Sequence, residues 1–379
     1  MKRMRILIIN YEFPPLGGGA GYASSQIARH LAGFGNEVAV LTSAYRGLPV
    51  FERRDGYQVR RVPVVRRRVD RCSLPEMATF IAGALVPALL LARSFRPHIA
   101  VVFFGVPTGP LGWVLKKALG LPYILSLRGG DVPGFLQGEL GMAHRLLGPM
   151  TSFVWDNASV VVANSKGLSE LAMRSYTKGS VEVIPNGVDT DFFHPTSDSK
   201  GEGSRFRILF AGRLVEQKGA KYLIECLPYV SRCAPMPVEL EIVGEGTEEA
   251  DRATLGERYQ KADVFALPSF EEGMPNVVLE AMASGLPVVT TDIYGTRGLV
   301  RSGENGFLVS TGDSVALGEA IGRLVEQPGL RMAMGRRSRE IAEEYSWEAT
   351  ARAYLGLCQN VLHGYSQELP YTRKKGVLA

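Results

Sequence analysis

The run EEGMPNVVLEAMASGLPVVTTD at residues 271–292 constrains the fold more than any other part of the chain. VFALPS (264–269) precedes it, a short continuous apolar stretch of the kind that forms a strand buried on both faces. Pro275 suits the first position of a following helix, where its missing N–H costs nothing. Leu279, Ala281, Met282 and Ala283 supply an apolar face, Gly285 and Pro287 stop the helix, and PVVTTD opens a second strand. The result is a βαβ unit whose helix starts with unpaired N–H groups, a ready place for an anion. Glu272 lies just before that start and Glu280 about a turn and a half inside it. An anionic ligand with neutral hydroxyls at both ends fits this layout. So does an ordinary βαβ unit with two solvated glutamates, and spacing alone does not separate the two.

The same alternation runs through the whole chain. RILIIN, EVAVLT, IAVVFF, YILSL, SVVVAN and VEVIPN read as strands with helical segments between them, including an amphipathic helix over residues 22–34. The polar, glycine-bearing run TSDSKGEGS (196–204) reads as a linker. After it the pattern restarts with RILFAGR, a helix from about Gly219, VELEIVGEG, VFALPS, PVVTTD and GFLVS, closed by helices over 315–327 and 330–345. Two α/β domains are expected, in keeping with 379 residues and roughly 150 residues per domain.

Composition excludes several classes. Apolar residues make up 46% and charged residues 21% of the chain, as in ordinary globular proteins. A net charge of +5 is too small to argue for nucleic acid. Cys72, Cys226, Cys233 and Cys358 are scattered, without a CxxC pair or a histidine cluster, which speaks against a zinc site or disulfide framework and for a cytoplasmic setting. The amino-terminal apolar stretch is too short for a signal peptide and reads as the first strand. Residues 77–92 are nearly all apolar but interrupted by Pro87, and shorter than the roughly 20 residues that span a bilayer. They follow an arginine-rich segment (Arg60, Arg61, Arg66, Arg67, Arg68, Arg71) with Asp70 as its one acid. A core helix after a solvated strand and loop is one reading; a peripheral patch on anionic lipid is the other.

Two further constellations bear on chemistry. PPLGGGAG places Gly18 and Gly19 between a strand and a helix, where the backbone can approach a phosphate, although tight strand–helix turns use glycine anyway. It does not match GxGxxG with a following acidic residue, so a plain NAD site is not expected. In AGRLVEQKGA, Arg213 follows directly on a strand and Lys218 precedes a helix, both at the carboxyl edge of the sheet where open α/β folds bind ligands. A guanidinium fork and a mobile ammonium suit a diphosphate there, and two solvated loop cations would look the same in isolation.

Taken together, PPLGGGAG, VANS, IPNGVDTDFF, GRLVEQKGA, VGEG, EEGMPNVVLEAMASGLPVV, ENGFLV and SWEA, in this order and nearly end to end, resemble glycosyltransferase family 4, the retaining GT-B enzymes. The resemblance implies an α/β GT-B fold, two doubly wound Rossmann-like domains facing across a cleft. It places an acceptor-side domain at 1–195, a nucleotide-sugar domain at 205–346, and a carboxy-terminal helix at 347–370 crossing back to the first domain. It implies that Arg213 and Lys218 hold the donor diphosphate, and that Glu272 and the backbone of Met274, Pro275, Asn276 and Val277 face the donor sugar. Glu280 would bond the ribose, and Gly18 and Gly19 would approach the phosphates. The expected reaction transfers a sugar from a nucleotide-diphosphate donor to a lipid-linked or cell-surface glycan, in the cytoplasm or at the inner face of the membrane, with neither metal nor cofactor. The Asp189-Thr190-Asp191 sequence is family sequence rather than a metal site. A homologue that binds sugar or a partner without catalysis would carry the same motifs, and release of nucleoside diphosphate separates the two.

Three departures qualify this. Arg128 stands where many members carry a histidine near the acceptor; a guanidinium cannot act as a base, and nearby Asp131 could only orient a hydroxyl. Gly298 replaces a common glutamate. Between VGEG and KADVFALPS only residues 247–260 remain, about one helix and one strand fewer than the family usually has. With strand order 3-2-1-4-5-6 the lost strand is an edge strand, so the expectation is a folded second domain with altered recognition of the base.

Overall fold

The structure, a computed structural model, describes residues 3–69, 72–176, 179–196, 205–244 and 248–364. The chain forms two compact units, the first from residues 1–164, 168–185 and 347–379 and the second from 165–167 and 186–346.

In the first unit the order is β1 (Arg5–Ile9), α1 (Gly19–Gly33), β2 (Glu37–Ser43), β3 (Phe51–Arg54), β4 (Tyr57–Val62), α2 (Leu74–Phe95), β5 (Ile99–Phe103), α3 (Gly109–Leu119), β6 (Tyr123–Leu127), α4 (Gln137–Asn157), β7 (Val160–Ala163), α5 (Lys166–Met173) and β8 (Val181–Val183). The strands form one sheet in the order β3-β4-β2-β1-β5-β6-β7-β8, parallel except for the β3–β4 hairpin. The central strands are buried along their length and read as continuous apolar runs, as strands covered on both faces must. Phe80, Ala84, Leu111, Leu115, Val154 and Trp155 of α2, α3 and α4 fill the core on one face.

The second unit runs β9 (Phe206–Ala211), a 3₁₀ turn (Glu216–Lys218), α6 (Ala220–Cys233), β10 (Val238–Val243), α7 (Glu248–Lys261), β11 (Val264–Leu267), α8 (Asn276–Ala283), β12 (Val288–Thr291), β13 (Gly306–Val309), α9 (Ser314–Glu326) and α10 (Pro328–Ala342). Its five strands are all parallel, in the order β10-β9-β11-β12-β13. The last helix, α11 (Trp347–His363), belongs to the first unit. Trp347 meets Tyr22 of α1 edge-on, and Ala351, Tyr354 and Leu355 enter the core on the sheet's other face.

In the second sheet β10 is an edge strand, and every residue of it is only half buried, unlike β9 and β11. A single helix, α7, joins β10 to β11, with residues 245–247 between them outside the described residues. The outward carboxylates of β10 are neutralised: Arg205 and Arg207 pair with Glu239, and Arg258 with Glu241. Charge on an edge strand discourages pairing with another chain.

Several expectations are corrected. The domain boundary precedes the 196–204 linker, of which only Thr196 lies among the described residues. Residues 186–195 already cluster with the second unit because Val188 N–H donates to the Tyr345 carbonyl and Arg339 donates to the carbonyls of Thr190 and Phe193. The helix expected at 22–34 begins at Gly19, so Gly19 is helical and Gly18 is its N-cap. Pro275 is the N-cap of α8 rather than its first residue, with extended backbone. Helix α2 is longer than its apolar run, at 22 residues, because Ser73 and Glu76 form a reciprocal capping box ahead of it. By length and composition alone it could cross a membrane. However, Phe80, Ala84, Ala88 and Leu91 bury one side of it, so it lies along the sheet. The β3–β4 hairpin was unforeseen, although Asp55 and Gly56 both adopt positive φ, the signature of a two-residue hairpin turn.

Candidate functional site

The second unit brings most of the expected residues to the carboxyl ends of β9 and β11. Arg213 follows β9 after Gly212, and a Cβ built on Gly212 would lie 3.7 Å from Lys218 Cδ. Lys218 ends the 3₁₀ turn, and Gly219 behind it has φ +66. A Cβ at Gly219 would come within 2.2 Å of the Pro268 carbonyl oxygen, so the turn presses against β11's end in a way only glycine permits. Gln217 adds two bonds: its carbonyl accepts from Phe270 N–H and its side chain donates to the Glu271 carbonyl. The turn carrying the lysine is thereby fastened to the loop carrying the glutamate.

That fastening produces a direct contact. Lys218 Nζ donates to Glu272 Oε1 at 2.6 Å, and Ser269 Oγ donates to the same oxygen at 2.7 Å. Both charged side chains are nearly enclosed. A Cβ on Gly295 would lie 2.3 Å from the Glu272 carbonyl oxygen, so the β12 side also packs directly on this loop. The carboxylate is held as an acceptor at a fixed place, and the ammonium, with three N–H donors, keeps capacity for a second anion.

Met274, Pro275, Asn276 and Val277 form the entry to α8. The VANS and IPNG segments hold this entry from a distance. Ser165 Oγ donates to the Gly273 carbonyl at 2.6 Å, and Asn186 Nδ2 donates to Asn276 Oδ1 at 2.8 Å. The backbone leading into the helix start is thus held by two side chains from far along the chain, leaving the first N–H groups of α8 set in position. Four residues into α8, buried Glu280 accepts from the hydroxyl of Tyr259, at 3.3 Å. Tyr259 comes from α7, is fully buried, and packs edge-on against Phe193. Ser269 and Tyr259 are further site residues without a signal of their own in the motifs: Ser269 is the polar end of the apolar run VFALPS, and Tyr259 is the one aromatic residue of a polar helix.

The remaining expected residues belong to the first unit. Gly17, with φ +85, is packed against Glu12, whereas Gly18 has open space around its Cα. Arg128 turns inward: its guanidinium lies 4.4 Å from the Phe103 ring centre and donates to the Tyr354 hydroxyl at 3.2 Å, tying α11 to the sheet. The Asp131 carboxylate accepts from the N–H groups of Arg128, Gly129 and Gly105. Burial pushes its carboxyl group up despite those bonds. Both residues therefore order the loops after β5 and β6; the expectation that Asp131 orients a hydroxyl meets two oxygens already occupied by backbone donors. Gly298 is exposed with open space around it. Asp189 Oδ1 accepts from Phe192 N–H and closes a turn, and among the described residues no group of three or more His, Cys, Asp or Glu could hold a metal.

Comparison with known proteins places this geometry. The family "Glycosyl transferase 4-like domain" matches residues 18–187, and "Glycosyl transferases group 1" matches residues 205–327. A D-inositol 3-phosphate glycosyltransferase of Corynebacterium jeikeium is 28% identical over 98% of this chain and 99% of its own length. A putative teichuronic acid biosynthesis glycosyltransferase, TuaC, of Bacillus subtilis is 29% identical over 76% of each chain. Among solved structures, sucrose-phosphate synthase from Thermosynechococcus elongatus superposes with TM-score 0.82 at 20% identity, covering 96% of this chain and all of its own. Anabaena HepE in complex with UDP and glucose superposes with TM-score 0.69 at 19% identity, covering 94% and 100%. Matches to both units, full-length relatives and GT-B neighbours agree: the chain belongs to glycosyltransferase family 4 and is a transferase built on the GT-B fold.

Proposed function

We propose that the second unit binds a nucleotide-diphosphate sugar and that the chain transfers the sugar, with retention, to a lipid-linked or cell-surface glycan in polysaccharide biosynthesis at the cytoplasmic side of the membrane. The observation that carries this is the joining of Lys218, Ser269 and Glu272 beside the amino-terminus of α8. In this reading Arg213, Lys218 and the helix-start N–H groups take the diphosphate. Glu272, held from behind by Lys218 and Ser269, accepts from a hydroxyl of the sugar, and Glu280, oriented by Tyr259, accepts from the ribose. The UDP and glucose held by HepE and the names of the curated relatives support a donor and acceptors of these classes.

The chemistry follows from the charges. The bond between the anomeric carbon and the diphosphate oxygen breaks while a bond to the acceptor oxygen forms on the same face. The acceptor proton passes to the departing phosphate oxygen. Negative charge grows on that oxygen as the bond stretches, and fixed cations and dipoles at that place lower the barrier. No step asks for a metal.

The test is mass spectrometry of products from a panel of nucleotide sugars incubated with the protein and membrane extract. One donor should be consumed, with release of its nucleoside diphosphate and gain of one sugar by an acceptor. Lys218→Ala and Glu272→Ala should each lower that release about 100-fold or more; release at the unmodified rate in both variants would overturn the assignment.

A further inference from the structure

Helices α2, α3 and α4 cover one face of the first sheet side by side, so their outward sides form one surface. On α4 that surface is apolar where a soluble helix is normally polar. Met142 is 86% exposed, Leu146 76% and Phe153 46%, and Pro149 between them is also exposed. The spacing i, i+4, i+7, i+11 puts all four on one stripe about 16 Å long. Phe153 meets Trp113 of α3 edge-on, and on α2 Leu85, Val86 and Leu90 are likewise exposed. Exposed apolar side chains gathered on one stripe of a helix, with more on its neighbours, mark an interaction site.

The charge around it selects the partner. No aspartate or glutamate occurs between Glu76 and Asp131, whereas Arg93, Arg96, Lys116 and Lys117 are exposed there; among the described side chains of α4 the one acid is exposed Asp156, three residues after Phe153. Lys116 donates to the Asn157 carbonyl at the end of α4, which places it beside the Phe153 end of the stripe, and exposed Arg145 lies between Met142 and Leu146. Apolar side chains interleaved with cations fit the interface of an anionic bilayer, which takes the former into its acyl boundary and the latter among its headgroups. A second copy of the chain would set these cations against each other.

We propose that the outer surface of α2, α3 and α4, centred on Met142, Leu146 and Phe153, docks on an anionic lipid bilayer. The arginine-rich segment before α2 contributes less than its composition suggests. Arg61 is buried, donating to Glu52 and to the Pro49 carbonyl, and Arg66 is buried, donating to the carbonyls of Tyr11, Arg68 and Val69. These two arginines hold the loop; they do not face solvent. Arg71 and Asp70 lie outside the described residues.

The test is co-sedimentation of the full chain with vesicles of phosphatidylcholine alone and of phosphatidylcholine with phosphatidylglycerol. Binding to the anionic vesicles, weakened by salt, is expected. Met142→Ser with Leu146→Ser should reduce the bound fraction at least tenfold without changing the circular dichroism spectrum, since both side chains are in solvent. Arg145→Glu and Lys117→Glu should each reduce it about fivefold or more. Absence of vesicle binding, binding unchanged in the double variant, or a concentration-dependent dimer abolished by the same substitutions would each overturn the proposal. The assay uses no sugar substrate, so its outcome is independent of the donor and acceptor assigned above.

Discussion

Lys218 and Glu272 are joined at 2.6 Å in a nearly enclosed pair, 13% and 9% exposed, which makes each side chain a structural support for the other. Removing one partner leaves a charge without its counter-ion in a place water reaches poorly. Lys218→Ala should therefore cost about 3 kcal/mol of stability, and Lys218→Ala with Glu272→Ala should cost less than the two single losses added together. Urea unfolding followed by circular dichroism gives the cycle directly; additive losses would show that the two charges are not coupled.

Tyr259 stands in the same relation to Glu280. Its hydroxyl donates towards Glu280 Oε2 and the Val277 carbonyl, from a ring that is fully buried. Tyr259→Phe keeps the ring packing and removes the bond, worth about 1 kcal/mol. Isothermal titration should show nucleoside diphosphate binding weakened about fivefold, with binding of inorganic pyrophosphate unchanged. Equal loss for both ligands would mean that Tyr259 supports the unit as a whole and does not position Glu280.

The contrast between these residues and the ones found from sequence has a physical basis. Strands β1, β5, β6, β9, β11 and β12 are covered on both faces, so burial writes an uninterrupted apolar run that needs no partner to be read. Arg213, Lys218, Glu272 and Glu280 sit at fixed short distances after such runs, which is why their placement was legible. Ser165 and Asn186 act on a loop 108 and 90 residues away, and nothing in their local sequence encodes that reach. Arg128 follows a legible strand, yet its inward direction is set by Tyr354, 226 residues later. The β3–β4 hairpin carries runs of adjacent charged residues because it is a partly solvated antiparallel edge, so its Asp-Gly turn was the only strong signal.

Two glycines in the second unit should respond oppositely to substitution. Gly219→Ala forces a Cβ onto the Pro268 carbonyl oxygen in a left-handed backbone, and the lysine-bearing turn must shift. A loss of about 2 kcal/mol or more is expected, together with loss of transfer activity. Gly298→Glu restores the residue common in the family at a position with open space, and should change the unfolding midpoint by less than about 0.5 kcal/mol equivalent. A thermal scan of both proteins decides; a large loss at Gly298 would show that this loop is tighter than its geometry indicates.

Helix α2 should be the acid-sensitive part of the first unit. The Ser73 backbone N–H, the Ser73 hydroxyl and the Arg67 N–H all bond to Glu76 and hold its carboxyl down at about 2. A carboxyl whose folded value is depressed supplies stability that is fully present above its unfolded value, near 4.5, and is lost as pH falls towards about 2. The first turn of α2 should therefore lose amide-exchange protection across that window while β5 and β6 keep theirs. Ser73→Ala removes the hydroxyl donor and raises the Glu76 value, moving the loss to higher pH, whereas Glu76→Gln retains the capping geometry and should make the first turn insensitive to pH over the same range. Exchange measured from pH 5 to pH 2 on the three proteins checks the sign: a first turn that stays protected in the unmodified chain down to pH 2 would mean that the cap does not depend on the ionised carboxylate.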